Sequence, residues 1–407
     1  RIGDWSSDVC SSDLVFSMRQ EVISYLSTEK EALFNLCKFL HDNPEDSYKE
    51  YDACKYICNF LRDRDFDVRE KFLDLDTAFY AKKGNGYPKI CFLCEYDAIK
   101  SKGGHITGHN LLTTISITSA LGLSKVIEKS GGTVILIGCP GEYLGGTKST
   151  YVRQGIFDDI DVVLTAHPDI VTSESGTSKA IIPLKVTFKG HDGLSFLDFD
   201  SFTSLDGTML TFNVINALSK GFCKKANIHT ILSQGGVTPL LRPVESEGKL
   251  YIRAESTKTA KCIENKIRNL VACISDTMNL ESCVELYEPP NEELLSNQVL
   301  NRLYSHNLKE NGIINIGKPR DIDAGISLGT VSHKVPCIHP YINIVDNVNI
   351  DYGTKEFADA TISSFAQEQA LSASYALIST ALDLIESDFL LSEVKETFNM
   401  SDRKSVV

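Results

Sequence analysis

Between residues 77 and 166 the chain alternates apolar strand-like runs with helix-like segments, and this alternation constrains its fold more than any other feature. Strands are expected over 77–81, 90–94, 133–138 and 162–166, and helices over 110–129 and 147–154. Such an order predicts a largely parallel sheet covered by helices on both faces. Two amphipathic helices precede it between residues 17 and 65, marked by Val22, Leu26, Leu33, Leu36 and Leu40, then Ala53, Ile57, Phe60 and Leu61. Asn43-Pro44-Glu45-Asp46 separates them.

Near Gly176 the texture changes. Runs 181–188, 228–232, 249–254 and 283–287 read as strands, and 206–218 and 259–277 as helices, an arrangement that suits a small α+β unit. After Glu288-Pro289-Pro290-Asn291 the αβ texture returns and closes with a long helix over 363–384. One domain (179–289) is therefore inserted into another (15–178 and 290–401). Residues 1–14 and 402–407 stand apart: Asp4 to Leu14 and Asp402 to Val407 are what short-read sequencing adapters encode, so both flanks are set aside from fold reasoning.

Of 407 residues 42% are hydrophobic, enough for two cores, and the formal net charge is −13 without long charge runs. This argues against nucleic acid or an anionic membrane as partner. No apolar run reads as long enough to cross a bilayer. Twelve cysteines, one of them (Cys10) in a set-aside flank, are scattered through mostly apolar contexts. That suits reduced thiols and a cytoplasmic location better than a disulfide framework.

Chemistry in an open α/β sheet gathers at the C-terminal strand ends. The first such end leads through Glu95-Tyr96-Asp97 to Gly104-His105-Ile106-Thr107-Gly108-His109-Asn110. Two histidines four apart suit a metal loop, yet a threonine stands where a stronger donor would help; equally, His105 and His109 would serve as backbone-bonded structural residues. The next end carries Cys139-Pro140-Gly141-Glu142-Tyr143, placing Glu142 as a general base. A third ends in Ala166-His167-Pro168.

These motifs, with Phe92-Leu93-Cys94-Glu95-Tyr96-Asp97-Ala98, Gly108-His109-Asn110, Ile252-Arg253-Ala254 and Ile338-His339-Pro340-Tyr341, give the chain a resemblance to a known family. It is similar to the metal-dependent amidohydrolases of the aminoacylase/carboxypeptidase type, metallopeptidase family M-twenty. Within that family it resembles the branch of indole-acetyl-amino-acid hydrolases and dipeptidases. The resemblance implies an α/β fold: a mostly parallel-sheet catalytic-type domain with an inserted α+β lid/dimerisation domain, and hence a homodimer. It implies N-acyl-amino acid or dipeptide ligands and two divalent metals, zinc or manganese.

Carried over position by position, the resemblance makes His109 and His167 metal ligands, Glu142 the general base and Arg253 a substrate contact, with an exposed ion pair the alternative for Arg253. The remaining positions depart from it. Thr107 replaces a ligand cysteine, Tyr143 a second glutamate and Gly353 a distal histidine. Leu194 falls near a lid histidine, with His191 and Asp192 close by, and Leu240 replaces a substrate asparagine. Threonine, tyrosine and glycine are poor metal donors at neutral pH. The expectation is a degraded dinuclear site, with metal absent or weakly bound, and a protein acting by ligand or partner binding. The alternative is an active hydrolase with a rebuilt or single-metal site.

Overall fold

The structure, a computed structural model, describes residues 6–197, 200–221, 226–347 and 349–406. By its contacts the chain forms two units. The first comprises Arg1–Gly176, Leu295–Arg320 and Val331–Val407; the second comprises Thr177–Leu294 and Asp321–Thr330.

The first unit opens with α1 (Ser6–Asp42) and α2 (Tyr51–Arg62). Ala53, Cys54, Ile57, Cys58 and Leu61 recur at helical spacing and are all buried, which is why α2 is a helix lying on the core. Then follow β1 (Asp67–Glu70), β2 (Phe79–Gly84), β3 (Lys89–Cys94), α3 (His109–Ser130), β4 (Thr133–Gly138), α4 (Lys148–Arg153), β5 (Val162–Leu164) and β6 (His167–Asp169). β3 and β4 are buried almost throughout. Strands covered on both faces become unbroken apolar runs of this kind.

α3 corrects the sequence reading, because by length and composition it would cross a membrane. It is instead a core helix, packed against α1, α10 (Ser364–Glu386) and β3. Its hydroxyls are satisfied locally: Thr114, Thr118 and Ser119 donate to carbonyls one turn back, and Ser116 donates to Leu93 O at 2.5 Å.

The second unit holds β7 (Ala180–Lys189), α5 (Ser204–Leu218), β8 (Asn227–Gln234), β9 (Glu245–Ala254), α6 (Thr257–Met278) and β10 (Glu281–Leu286). Its four strands run in the order β10-β7-β9-β8, every neighbour antiparallel. Alternate residues of β9 are buried, so one sheet face packs on the helices, around Leu184, Val186, Phe188, Ile252, Ile263 and Ile267. Residues 321–330, which the sequence reading kept with 290–401, group with this unit. Lys179 N donates to Ala324 O at 3.0 Å, and Glu292 N to Thr330 Oγ1 at 3.1 Å.

The chain then adds α7 (Gln298–Glu310), α8 (Leu328–Ser332), β11 (Cys337–Ile338), β12 (Tyr341–Asn343), α9 (Lys355–Ala360), α10 and α11 (Asp388–Val406). The first unit's main sheet has the order β1-β2-β4-β3-β5-β11, and β12 pairs with β6 separately. Its β4-β3-β5-β11 side is parallel, while β1 and β2 join antiparallel. β1 is the short polar run Asp67-Val68-Arg69-Glu70, which carries too little apolar signal to be read as a strand.

Candidate functional site

The site grows from the register of β3 and β4. Cys94 sits opposite Gly138, and Cys139 N donates to Cys94 O at 2.8 Å, so Glu95 and the Cys139–Glu142 turn leave the sheet side by side. Glu142 begins a single 3-10 turn. Gly146 allows the loop to close over it: its φ is +71°, and a Cβ there would lie 2.5 Å from Glu142 Oε1. The loop feeds directly into α4, whose first residue is Lys148.

Lys148 is completely buried. Its Nζ lies 2.6 Å from Glu95 Oε1 and 2.6 Å from Glu142 Oε1, so a single ammonium holds both carboxylates. Burial opposes charge on Glu95, but Lys148, with His109 and His167, draws its carboxyl well below the usual range. Burial also opposes the ammonium, and Glu142 and Glu95 raise the lysine above its ordinary value. Both partners thus stay ionised.

His109 opens α3. Its Nδ1 is 2.8 Å from Asp97 Oδ1, and its Nε2 is 3.5 Å from Glu95 Oε2. Burial works against protonation there, and the Asp97 hydrogen bond overcomes it, raising the imidazole to about 9. His167 opens β6. Its Nδ1 donates to Pro168 O at 2.8 Å, leaving Nε2 as the acceptor, and burial lowers its pKa. The rings of His109 and His167 stand 6.0 Å apart, nearly perpendicular. His339 lies 5.1 Å from the His167 ring, with burial pushing it down to about 3.

Three of the positions expected to lack ligands fall at the same place. Thr107 and Tyr143 join their hydroxyls in a hydrogen bond. The Tyr143 ring stacks on His109 at 4.8 Å. Burial raises the phenol well above its ordinary value, so it stays neutral. Gly353 has φ +82° and donates its N–H to Ile106 O at 3.1 Å, offering backbone only.

The structure therefore brings His109, His167 and Glu142 together with two acids and a lysine that sequence reasoning did not single out. Glu95 had a usable signal, since it follows a strand end just as Glu142 follows the next. Lys148 had none: a lysine at a helix start ordinarily reads as solvated. His105 lies outside this group, its Nε2 donating to Leu40 O at 3.0 Å. Arg253 lies on β9 of the second unit, where it meets an imidazole: its Nη1 donates to His229 Nδ1 at 2.9 Å, and its guanidinium lies 5.2 Å from the Tyr251 ring. In the same unit Leu194 bridges to Leu241, Asp192 Oδ1 accepts from Gly193 N, and Leu240 is exposed.

One metal ion suits the donors present. Glu95, His109 and His167 each place one ligand atom within 4.8 Å of the other two, and two imidazoles with a carboxylate form a common zinc set. Among the described residues no second such group occurs: the hydroxyls of Thr107 and Tyr143 are engaged with each other, and Gly353 has no side chain. Bound at those three residues, a divalent ion would supply Lewis acidity and an acidified water.

No protein-family model matches the chain. It is 28% identical over 405 residues to the Xaa-Arg dipeptidase of Mus musculus, covering 94% of this chain and 92% of that protein. It is also 28% identical over 274 residues to a p-aminobenzoyl-glutamate hydrolase polypeptide of Escherichia coli, covering 60% of this chain and 55% of that one. Among solved structures, a Bacillus subtilis protein described as a dinuclear metal-binding peptidase superposes with a TM-score of 0.63 at 15% identity, over 89% of this chain and 99% of that one. At that identity the likeness speaks for the fold alone.

Proposed function

We propose that the chain is a member of the amidohydrolases and dipeptidases of metallopeptidase family M-twenty, one whose dinuclear site has been dismantled. It retains the fold and a carboxylate–imidazole cluster, binds N-acyl-amino acids or dipeptides, and hydrolyses them poorly or not at all. The observation that carries this is the Thr107–Tyr143 hydrogen bond under a ring stacked on His109. It fills with neutral hydroxyls the positions where the resemblance calls for a thiolate and a carboxylate. Glu142, the residue expected as general base, has its Oε1 tied to a buried ammonium at 2.6 Å. The dipeptidase and aminobenzoyl-glutamate relatives support the ligand class. A homodimer through the second unit and a reducing, cytoplasmic setting complete the proposal; ten cysteines stand as free thiols, which supports the latter.

A second reading is favoured by one observation, the Glu95–His109–His167 grouping, which would suit a single-metal hydrolase. Assays against a panel of dipeptides and N-acyl-amino acids, with zinc or manganese supplied, separate the two. Turnover far below the ordinary scale of about 10 s⁻¹ is expected, with gain of activity in the paired change Thr107→Cys and Tyr143→Glu. Turnover of the unaltered chain on the ordinary scale overturns the impaired reading in favour of the single-metal one.

A further inference from the structure

We propose that Lys148 is the resident cation of this site: its ammonium stands in for a metal ion in neutralising Glu95 and Glu142, and it competes with a divalent ion for Glu95. The inference rests on the dismantled-site reading and deepens it. Lysine is almost never fully buried unless paired, and here the pairing is twofold and short, 2.6 Å to each carboxylate. Glu95 divides its two oxygens: Oε1 faces the ammonium and Oε2 faces His109 Nε2 at 3.5 Å. The one carboxylate that would anchor an ion between His109 and His167 is thus already charge-compensated from its other side. A positive charge this close, in surroundings of low dielectric, also repels a divalent ion directly. Conversely, taking the ammonium away removes the short ion pair that Glu95 Oε1 and Glu142 Oε1 share, leaving buried carboxylates short of compensating charge that a cation would supply.

The lysine and an ion are therefore alternatives, and the full-length chain can be made to choose. Zinc(II) is titrated into metal-stripped wild type, Lys148→Met and Lys148→Arg, with affinity read by competition against a chromogenic chelator and stability by thermal unfolding with and without zinc. Lys148→Met is expected to bind zinc at least roughly tenfold more tightly than wild type, on the scale of contacts that tune a metal's ligands. Its unfolding midpoint should rise more on adding zinc than that of wild type, by mass action. Lys148→Arg, which keeps the charge, should not gain affinity. A methionine variant that folds only with zinc also supports the proposal. Equal or weaker zinc binding in Lys148→Met, or failure to fold even with zinc, overturns it. The underlying reading fails on a different result, two ions per wild-type chain, so the two failures are distinguishable.

Discussion

Glu50 shows how a single buried carboxyl beneath the site loop ties stability to pH. It is fully buried, with Oε1 accepting from Gly141 N at 2.8 Å and Tyr48 N at 2.9 Å, and Oε2 accepting from Thr77 Oγ1 at 2.9 Å. Burial, aided by the nearby Asp97, raises it to about 7 from an ordinary 4.5. Between those values the folded chain binds more protons than the unfolded one, so this group's contribution to stability falls as pH rises from about 4.5 to about 7 and is level above. The loss amounts to roughly 3 kcal/mol at most, at about 1.4 kcal/mol per pKa unit. Glu50→Gln keeps an acceptor for both amides and removes the titration. Urea unfolding at pH 5 and pH 8 should show a smaller drop in the variant; equal drops would refute this role. At this scale the sequence made His109, Glu142 and His167 visible, because strand ends and glycine turns have recognisable chemistry. Lys148 and Asp97 were not visible, because their significance lies in which carboxylate or imidazole they meet, and that depends on the register of β3 and β4.

At the scale of elements, α3 carries the site on its first residue and is anchored by close packing along its length. Gly122 lies where α3 crosses α1 and α10, and a Cβ there would come within 2.4 Å of Ile378 Cδ1 and 3.1 Å of both Leu26 Cδ1 and Val22 Cγ1. Alanine gains about 1 kcal/mol of helix propensity over glycine, while overpacking a filled core costs about 1–3 kcal/mol. Three side chains must shift together, so overpacking wins, and Gly122→Ala should lose about 1 kcal/mol by denaturant unfolding. A neutral or stabilising result would mean that the three helices have slack. Most long elements were readable from periodicity: β4 falls on its expected 133–138, and α3 extends the expected 110–129 by a residue at each end. The short pairings were not. β6, β11 and β12 span two or three residues each, and their strand character comes from their neighbours, not from their own sequence.

For the whole molecule, the second unit offers an exposed edge strand. β8 is largely exposed, with Ile231 at 62% and Leu232 at 45% of their full accessibility. As the edge strand of its sheet it presents backbone groups with which another chain could pair. If the proposed homodimer forms there, light scattering should report a dimer for the wild-type chain and a monomer for Ile231→Asp; a wild-type monomer would refute the assembly. The inserted unit was legible as a change of texture near Gly176. The grouping of 321–330 with it was not, because that segment is held by backbone bonds to residues more than a hundred positions earlier.

The central proposal is that this chain keeps an amidohydrolase-like fold around a site that holds at most one metal ion. Elemental analysis of the full-length protein, loaded with zinc or manganese and then desalted, tests it most directly. At most one ion per chain is expected, at Glu95, His109 and His167. Two ions per chain would contradict the claim.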